Sequence, residues 1–465
     1  MPVRFGGSLL IKVRTLTSRR ACRYVLWVFL ILPCPVLTWA SDASPTGQDA
    51  GLVADLEKEI AGQPSLSDLV AYAYHASPMI KAARAEWRAA IEKYRIDTAF
   101  DDPEIMLEGM YMPEMYTDPF NPGDWEVTLT QPLPLPGRLT KAGVVASVEA
   151  GLARLRLDVT VRDTTLRLRE SYQELLYLRE AKRLAAGNRE QLDQLRKVGE
   201  TASVNRASLV DVMKAQAQSG QLQYDALLLH ESEQTELARI NSILDRTPEA
   251  VIGSLADEPV RSVAYSLQEI YPLAEANLEE IRMAQANVTR AEGMMDLIRY
   301  DNLPQFKLGV AYGEVSEVKQ VKVQAGFSLP LWVDKRAGRM DTAQAEVDKM
   351  RALNKVQVNE TRSAIRDIYF RLQNSDRLIT LYRDDLIPQA NRAMQTAETW
   401  FKTGQGSFSD YVETAGAWYN FHLALARAKA DYGKFLARLE SLVGMSLTER
   451  ETDANKAVDQ AGDSP

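Results

Sequence analysis

The chain has 465 residues, enough for two or three ordinary domains, with 46% hydrophobic residues and a formal net charge of −8. A mean hydropathy of −0.26 excludes a helical membrane protein. The acidic balance makes a poor nucleic-acid binder and suits a cationic cargo better.

The first stretch is basic, then apolar. Arg4, Lys12, Arg14, Arg19, Arg20 and Arg23 precede the apolar run Tyr24–Ala40, which ends Thr38-Trp39-Ala40. That order reads as a secretory signal over residues 1–40, with cleavage after Ala40. An uncleaved anchor and a lipid-modified Cys34 are the competing readings; Pro33 and Pro35 argue against the first, and Ile-Leu-Pro before Cys34 against the second. Cys22 and Cys34, the two cysteines, both lie here, so the mature chain would hold no disulfide and no cysteine metal site. Loss of the six cations would take the net charge from −8 to −14. Residues 41–65 read as an extended segment.

From residue 66 onward the chain repeats itself. LVAYAYHASPMIKAARAEW (Leu69–Trp87) pairs with IYPLAEANLEEIRMAQANV (Ile270–Val288), and DDPEIMLEGMY (Asp101–Tyr111) with DNLPQFKLGVAYG (Asp301–Gly313). VTLTQPLPLPGRLTKAG (Val127–Gly143) pairs with VQAGFSLPLWVDKRAGR (Val323–Arg339), and Asp211 with Asp410. The expected order in each copy is helix, strand, strand, long helix, helix: 66–247 for the first and 266–445 for the second. Residues 248–265, with Pro248 and Pro259, link them, and 446–465 read as a disordered tail.

Four strands are expected, each with period-2 alternation. Ile105 and Leu107 oppose Met106 and Glu108; Trp125, Val127 and Leu129 oppose Glu126, Thr128 and Thr130. Phe306, Leu308, Val310 and Tyr312 oppose Lys307, Gly309 and Ala311; Val321, Val323 and Phe327 oppose Lys322, Gln324 and Ser328. A small half-buried antiparallel sheet accounts for this, and so does a membrane barrel with lipid outside and water inside. Four strands cannot close a barrel, and open edges cannot face lipid, so the second reading requires several chains; three would supply twelve strands. Pro103 and Pro304 mark strand entry, and Pro132, Pro134, Pro136 and Pro330 mark exit. Arg138, Lys141, Lys335 and Arg336 follow the exits, where cations meet lipid head groups.

The long helices should be amphipathic rods. Leu168, Tyr172, Leu175 and Leu176 form one stripe, and Ile365, Ile368, Leu372 and Ile379 form its counterpart. Pro388 should bend or break the second rod. No nucleotide loop, metalloprotease or nucleophile-elbow motif is present, so no enzyme and no cofactor is expected. His75, His230 and His422 are too dispersed to make a ligand set and read as surface or packing residues.

This duplicated arrangement resembles the TolC family of outer-membrane efflux ducts across about 66–445. QPLPLPGRLTKAG, SLPLWVDKRAGR, GQGSFSDYVETAGAWYNFHLALARAKADY and LARLESLVG carry the likeness. The heavy-metal branch, CusC- and CzcC-like, is the nearest in its compact strand loops. The resemblance implies a mainly α fold with a small membrane β-barrel: a homotrimer sharing twelve strands above a long α-helical coiled-coil barrel. It implies an outer-membrane duct of a Gram-negative cell with its tunnel in the periplasm. The partners implied are a periplasmic adaptor (membrane fusion) protein, an inner-membrane RND-type transporter and outer-membrane lipid. Heavy-metal cations are the expected cargo; drugs or secreted proteins are alternatives, and so is a soluble periplasmic coiled-coil scaffold.

The resemblance also implies a gate. Asp410 and Glu413, three apart and hence on one helix face, occupy the stretch corresponding to the family's acidic pore ring, with Glu413 where aspartate is usual. Asp211 is the first-copy counterpart of Asp410. An alternative for Asp410 is a cap on the helix that begins near Ser407. Asn205 and Gly404 suit a left-handed turn, and Ser203, Arg206, Gly406, Ser407 and Phe408 lie beside them; these seven are candidate adaptor contacts or simply solvated turn residues. Met106, Met110, Met112 and Met115 offer thioethers to a soft ion, or serve as ordinary filler.

Overall fold

The computed structural model describes residues 47–110, 124–201, 209–256, 259–315, 318–403 and 405–448. The chain divides into two units, 1–50 and 51–465, and all of the architecture below belongs to the second, apart from the first residues of one helix. The expected signal segment, residues 1–40, lies outside the described residues.

Helix α1 (Gly47–Ala61) replaces the extended segment expected over 41–65. Its apolar Val53, Leu56 and Ile60 pack on the core of the first repeat, which gives the segment a reason to be helical. Next come α2 (Leu66–Ala76), α3 (Pro78–Asp97), β1 (Glu104–Met110), β2 (Asp124–Leu133), α4 (Arg138–Thr201) and α5 (Leu209–Ile243). The second copy runs α6 (Leu267–Asn277), α7 (Glu279–Asp301), β3 (Gln305–Val315), β4 (Val318–Ser328), α8 (Val333–Thr380), a π-helical turn (Leu381–Leu386), α9 (Ile387–Thr403) and α10 (Phe408–Val443). The duplication is therefore element for element, with α8, the π turn and α9 together standing where α4 stands in the first copy. The opening helix of each copy is split in two, at Ser77 and at Leu278. Pro78 at the first position of α3 explains the first break, since it donates no N–H and is pre-set for a helix start.

Equivalent caps start the equivalent helices. The Ser65 N–H donates to Asp68 Oδ2 at 2.9 Å and the Asp68 N–H returns to Ser65 Oγ at 3.3 Å. In the second copy the Ser266 N–H donates to Glu269 Oε2 at 2.7 Å. Such boxes satisfy amide groups that a helix start would otherwise leave without partners.

The α4 rod, at 64 residues, is about 96 Å long at 1.5 Å per residue. It packs on α3, α5, α7 and α10, while α8 packs on α7 and α10. Leu168, Tyr172 and Leu175 are fully buried in one cluster with Leu69 and Ile240; Ile365, Leu372 and Ile379 are buried in its counterpart with Ile270 and Leu439. A tyrosine in each cluster holds the linker: the Tyr172 hydroxyl donates to Ala256 O at 2.6 Å and the Tyr432 hydroxyl to Arg261 O at 2.8 Å. The expected tail begins in order, because Leu447 is buried and its N–H donates to Glu440 Oε1 at 3.0 Å; residues 449–465 lie outside the described residues.

Pro388 neither breaks nor ends the rod. The preceding turn widens to π, and the Ile387 N–H reaches back five residues to Tyr382 O. The wider turn accommodates the proline, which in an α-helix would clash with the carbonyl four residues before it.

The four strands form one antiparallel sheet in the order β1-β2-β3-β4. Glu104 and Gln305 begin their strands directly after Pro103 and Pro304, as expected. Pro132, however, lies inside β2, opposite Lys307. It is tolerated because β1 has already ended, at the Glu104–Thr130 pair, so β2 has a partner on only one side there. No helix among the described residues is long and apolar enough to cross a membrane.

Candidate functional sites: an inverted sheet and an acidic helix tip

Register sorts the sheet into two faces. Ile105, Leu107, Val127, Leu129, Phe306, Leu308, Val310, Tyr312, Val321, Val323 and Phe327 share one. Glu104, Met106, Glu108, Glu126, Thr128, Thr130, Lys307, Gly309, Ala311, Lys322 and Gln324 share the other. In a water-soluble protein the apolar face would be covered. Here Val323 is 81% exposed and Leu107 76%, whereas Ala311 on the polar face is fully buried and Thr128 nearly so. Among the described residues, nothing covers the apolar side.

Aromatic rings stand at both ends of that face. Trp125 and Tyr312 meet edge-on at 5.7 Å, and Phe306 and Phe327 lie 6.4 Å apart at the helical end. An apolar band between two aromatic girdles is the pattern of a strand in lipid. Strands β3 and β4 have eleven residues each, the length that spans a bilayer.

The polar face is tightly built. A Cβ on Gly313 would lie 2.2 Å from the Trp125 carbonyl oxygen, and one on Gly309 3.2 Å from Thr130 Oγ1. The Lys322 ammonium donates to Glu126 Oε2 at 2.5 Å, and the Thr128 hydroxyl approaches Glu126 Oε1 at 3.4 Å. Met106 is on this face and exposed, as expected; the side chain of Met110, and Met112 and Met115 altogether, lie outside the described residues. No cluster of three metal-binding His, Cys, Asp or Glu side chains occurs among the described residues.

The second site is the far end of the rods. Ser407 caps α10 and forms a box with Asp410: the Ser407 N–H donates to Asp410 Oδ2 at 3.2 Å, and the Asp410 N–H to Ser407 Oγ at 3.1 Å. Asp410 is thus a cap as well as a gate candidate, and an acidic group there also favours the helix dipole. Glu413 is exposed one turn on, as Asp410 is. The Lys214 ammonium donates to Ser409 Oγ at 3.1 Å and joins the start of α5, which carries Asp211, to the start of α10. Gly406 closes the turn onto Trp400, its N–H donating to Trp400 O at 3.1 Å, and a Cβ there would be 3.0 Å from that of Trp400. Ser203, Asn205, Arg206 and Gly404, and the side chains of Asp211 and Phe408, lie outside the described residues.

Beneath the tip, Leu184, Leu192, Leu222, Met394, Phe401, Tyr411 and Tyr419 form a core shared by both copies. Burial pushes the Tyr411 phenol up to about 12, with the Glu398 carboxylate adding to the effect. Higher up, Glu233 accepts from Arg179 Nε at 3.1 Å and from Lys182. Burial works to raise its pKa, but those two cations prevail and hold it below the usual carboxylate range. Of the histidines, His230 is exposed, His75 is half-buried with its ring edge-on to Tyr74, and His422 lies tilted against Trp418 at 4.2 Å, where burial lowers its pKa.

The sequence did not single out Lys214, Ser409 or the Lys322–Glu126 bridge as site features. All are ordinary polar residues whose partners lie about 195 positions away.

The cations expected at the lipid boundary divide into two groups. Arg138 Nε donates to Asp301 Oδ1 at 2.9 Å and Lys141 Nζ to Asp296 Oδ2 at 2.8 Å, so the first-copy pair is committed inside the chain. Lys335 and Arg336 are exposed.

A cavity of about 1430 Å³ lies between α4, α10 and the linker, lined among others by Arg162, Arg169, Arg179 and Arg183. Each of these arginines is paired with a carboxylate: Glu279 and Glu280, Glu440, Glu233 and Glu180 respectively.

Residues 270–445, almost the whole second copy, match the family of outer membrane efflux proteins. No curated protein is matched by sequence. Solved structures are matched by fold. The outer membrane protein VceC from Vibrio cholerae superposes with a TM-score of 0.68 at 17% identity, over 82% of this chain and 96% of its own. The MtrE outer membrane channel of Neisseria gonorrhoeae, in its open state, gives 0.67 at 14% identity, over 82% and 89%. CusC gives 0.70 at 12% identity, over 83% and 94%. The mainly helical fold with its single four-stranded sheet is the fold of outer membrane efflux channels.

Proposed function

We propose that this chain, whose second copy matches the outer membrane efflux family, is the outer-membrane duct of a tripartite export system. Three copies pool their sheets into a twelve-stranded barrel in the outer membrane. Their rods form a tunnel into the periplasm, where the tip meets a periplasmic adaptor protein and, through it, an inner-membrane RND-type transporter. The duct is passive. It holds no catalytic constellation, and its energy comes from the transporter.

The observation that carries this reading is the inverted sheet. An exposed apolar face flanked by aromatic rings is unfavourable in water and favourable in hydrocarbon. The polar face then becomes the wall of an aqueous lumen. A soluble periplasmic scaffold would leave that apolar surface in water.

At the tip, Asp410 and Glu413, with Asp211 of the first copy, supply the gate. Three copies of each carboxylate around one axis repel one another or share a cation. The cargo we assign is a heavy-metal cation; Met106 on the lumen face offers a thioether suited to soft ions.

Cell fractionation tests the reading. The mature chain should sediment with outer membranes and require detergent for release. Recovery of the folded chain in the soluble periplasmic fraction without detergent would reject the duct.

A further inference from the structure

The sheet has two free edges. β1 is hydrogen-bonded only to β2, and β4 only to β3. The chain places opposite charge at these two edges, at the same end of the sheet. Asp101 and Asp102 stand directly before β1; both are exposed, and neither carboxylate has a hydrogen-bond or ion-pair partner among the described residues. Lys335, Arg336 and Arg339 stand just after β4, in the first two turns of α8. They too are exposed, and their side chains are without partners among the described residues.

The molecule already contains one joint of this kind. β2 pairs with β3, and at the helical end of that pair Arg138, which opens α4, grips Asp301, which closes α7. Lys141, one turn on, grips Asp296. Arg336 lies 198 residues after Arg138, and Arg339 lies 198 residues after Lys141, so both cations recur in the second copy. Asp101 precedes β1 much as Asp301 precedes β3. The second copy therefore has the cations of the joint, the first copy has its carboxylates, and they are at opposite edges of one sheet.

We infer that the seam between neighbouring copies repeats the internal β2–β3 joint, with Arg336 and Arg339 of one copy, aided by Lys335, gripping Asp101 and Asp102 of the next. β4 of the first copy then pairs with β1 of the second. The contact is head-to-tail, using different surfaces on the two partners, so it closes into a ring once rotation allows. It removes both lipid-facing edges and all five unpartnered charges together. This seam rests on the duct reading and deepens it by naming the residues that bring the copies together.

The test uses the full chain, purified from membranes in detergent, with Cys22 and Cys34 replaced by serine. Asp102→Cys combined with Arg336→Cys should give intermolecular products up to trimer size with a short bismaleimide. Either substitution alone should give none. Light scattering that shows an intact trimer with no cross-link would overturn the seam while leaving the duct standing. A parent chain that stays monomeric would overturn both.

Charge reversal gives an independent reading. Arg336→Glu with Arg339→Glu should lower the temperature at which the trimer dissociates, and adding Asp101→Lys with Asp102→Lys should restore it. If the reversal instead weakens binding to vesicles containing phosphatidylglycerol, and the carboxylate changes restore nothing, the cations serve lipid and the proposal falls.

Discussion

Lys322 on β4 reaches Glu126 on β2 across the whole width of the intervening strand, and the two charges meet at 2.5 Å. The span is open because the β3 residues beneath it are Ala311 and Gly313, opposite Lys322 and Glu126 respectively. Gly313 is held to zero side chain by the backbone itself, since a Cβ would come within 2.2 Å of a carbonyl oxygen. Gly313→Ala should force β2 and β3 apart, a strain of about 1–3 kcal/mol, and lower the thermal dissociation point of the assembled protein. Gly326→Ala is the control, because a Cβ there meets nothing within 4 Å, and it should be silent.

The two faces of β4 should respond oppositely to charge. Val323→Arg puts a cation on the apolar face near mid-strand and should cost about 2–4 kcal/mol in lipid, read as lost outer-membrane yield. Gln324→Arg, one residue on and facing the other way, should assemble normally. Equal tolerance of both would show that the apolar face does not meet hydrocarbon.

At the tip, cap and gate must be separated. Asp410→Ala removes both, and the cap alone is worth about 1 kcal/mol. Asp410→Asn with Glu413→Gln keeps hydrogen-bonding groups at both positions and deletes the charge. We expect higher single-channel conductance in planar bilayers with little loss of thermal stability. Unchanged conductance would remove these two residues from the gate.

Glu233 should make a measurable part of the acid sensitivity of the rods. Its folded pKa lies below that of a free carboxylate, because Lys182 and Arg179 outweigh the penalty of burial. The stabilisation is therefore complete above the unfolded glutamate value, about 4.3, and is lost as pH falls through that value toward the folded one. Glu233→Gln should lower stability by about 2 kcal/mol at neutral pH. Melts of variant and parent should converge as pH drops from 5 to about 3.

Much of the fold can be read from the residues alone, because two periodicities are explicit. Val321, Val323 and Phe327 alternate cleanly with polar neighbours, and Leu168, Tyr172 and Leu175 recur at helical spacing. The duplication makes each element visible twice. The features that escape depend on partners in space. Whether Pro132 ends β2 depends on where β1 stops, and the Lys322–Glu126 bridge depends on the register of a third strand. The ion pairs of Arg138 and Lys141 escape for the same reason: Asp301 and Asp296 are more than 150 residues away. At the tip, the Ser407–Asp410 box is local and legible in the sequence, whereas the Lys214–Ser409 link spans 195 residues and is not.

The π turn before Pro388 sets the phase of the rod that runs down to the tip. Buried residues recur every seven positions at Ile365, Leu372 and Ile379, and again at Ile387, Met394 and Phe401. Between Ile379 and Ile387 the step is eight. One surplus residue in a regular α-helix would swing everything beyond it by about 100° and carry Met394 and Phe401 out of the shared core. The broad turn swallows that surplus and keeps the lower half in phase. Excising a single residue from 381–386 should thus restore an unbroken seven-residue beat but set Pro388 in an ordinary α-turn, where its ring meets the carbonyl four residues back and kinks the rod.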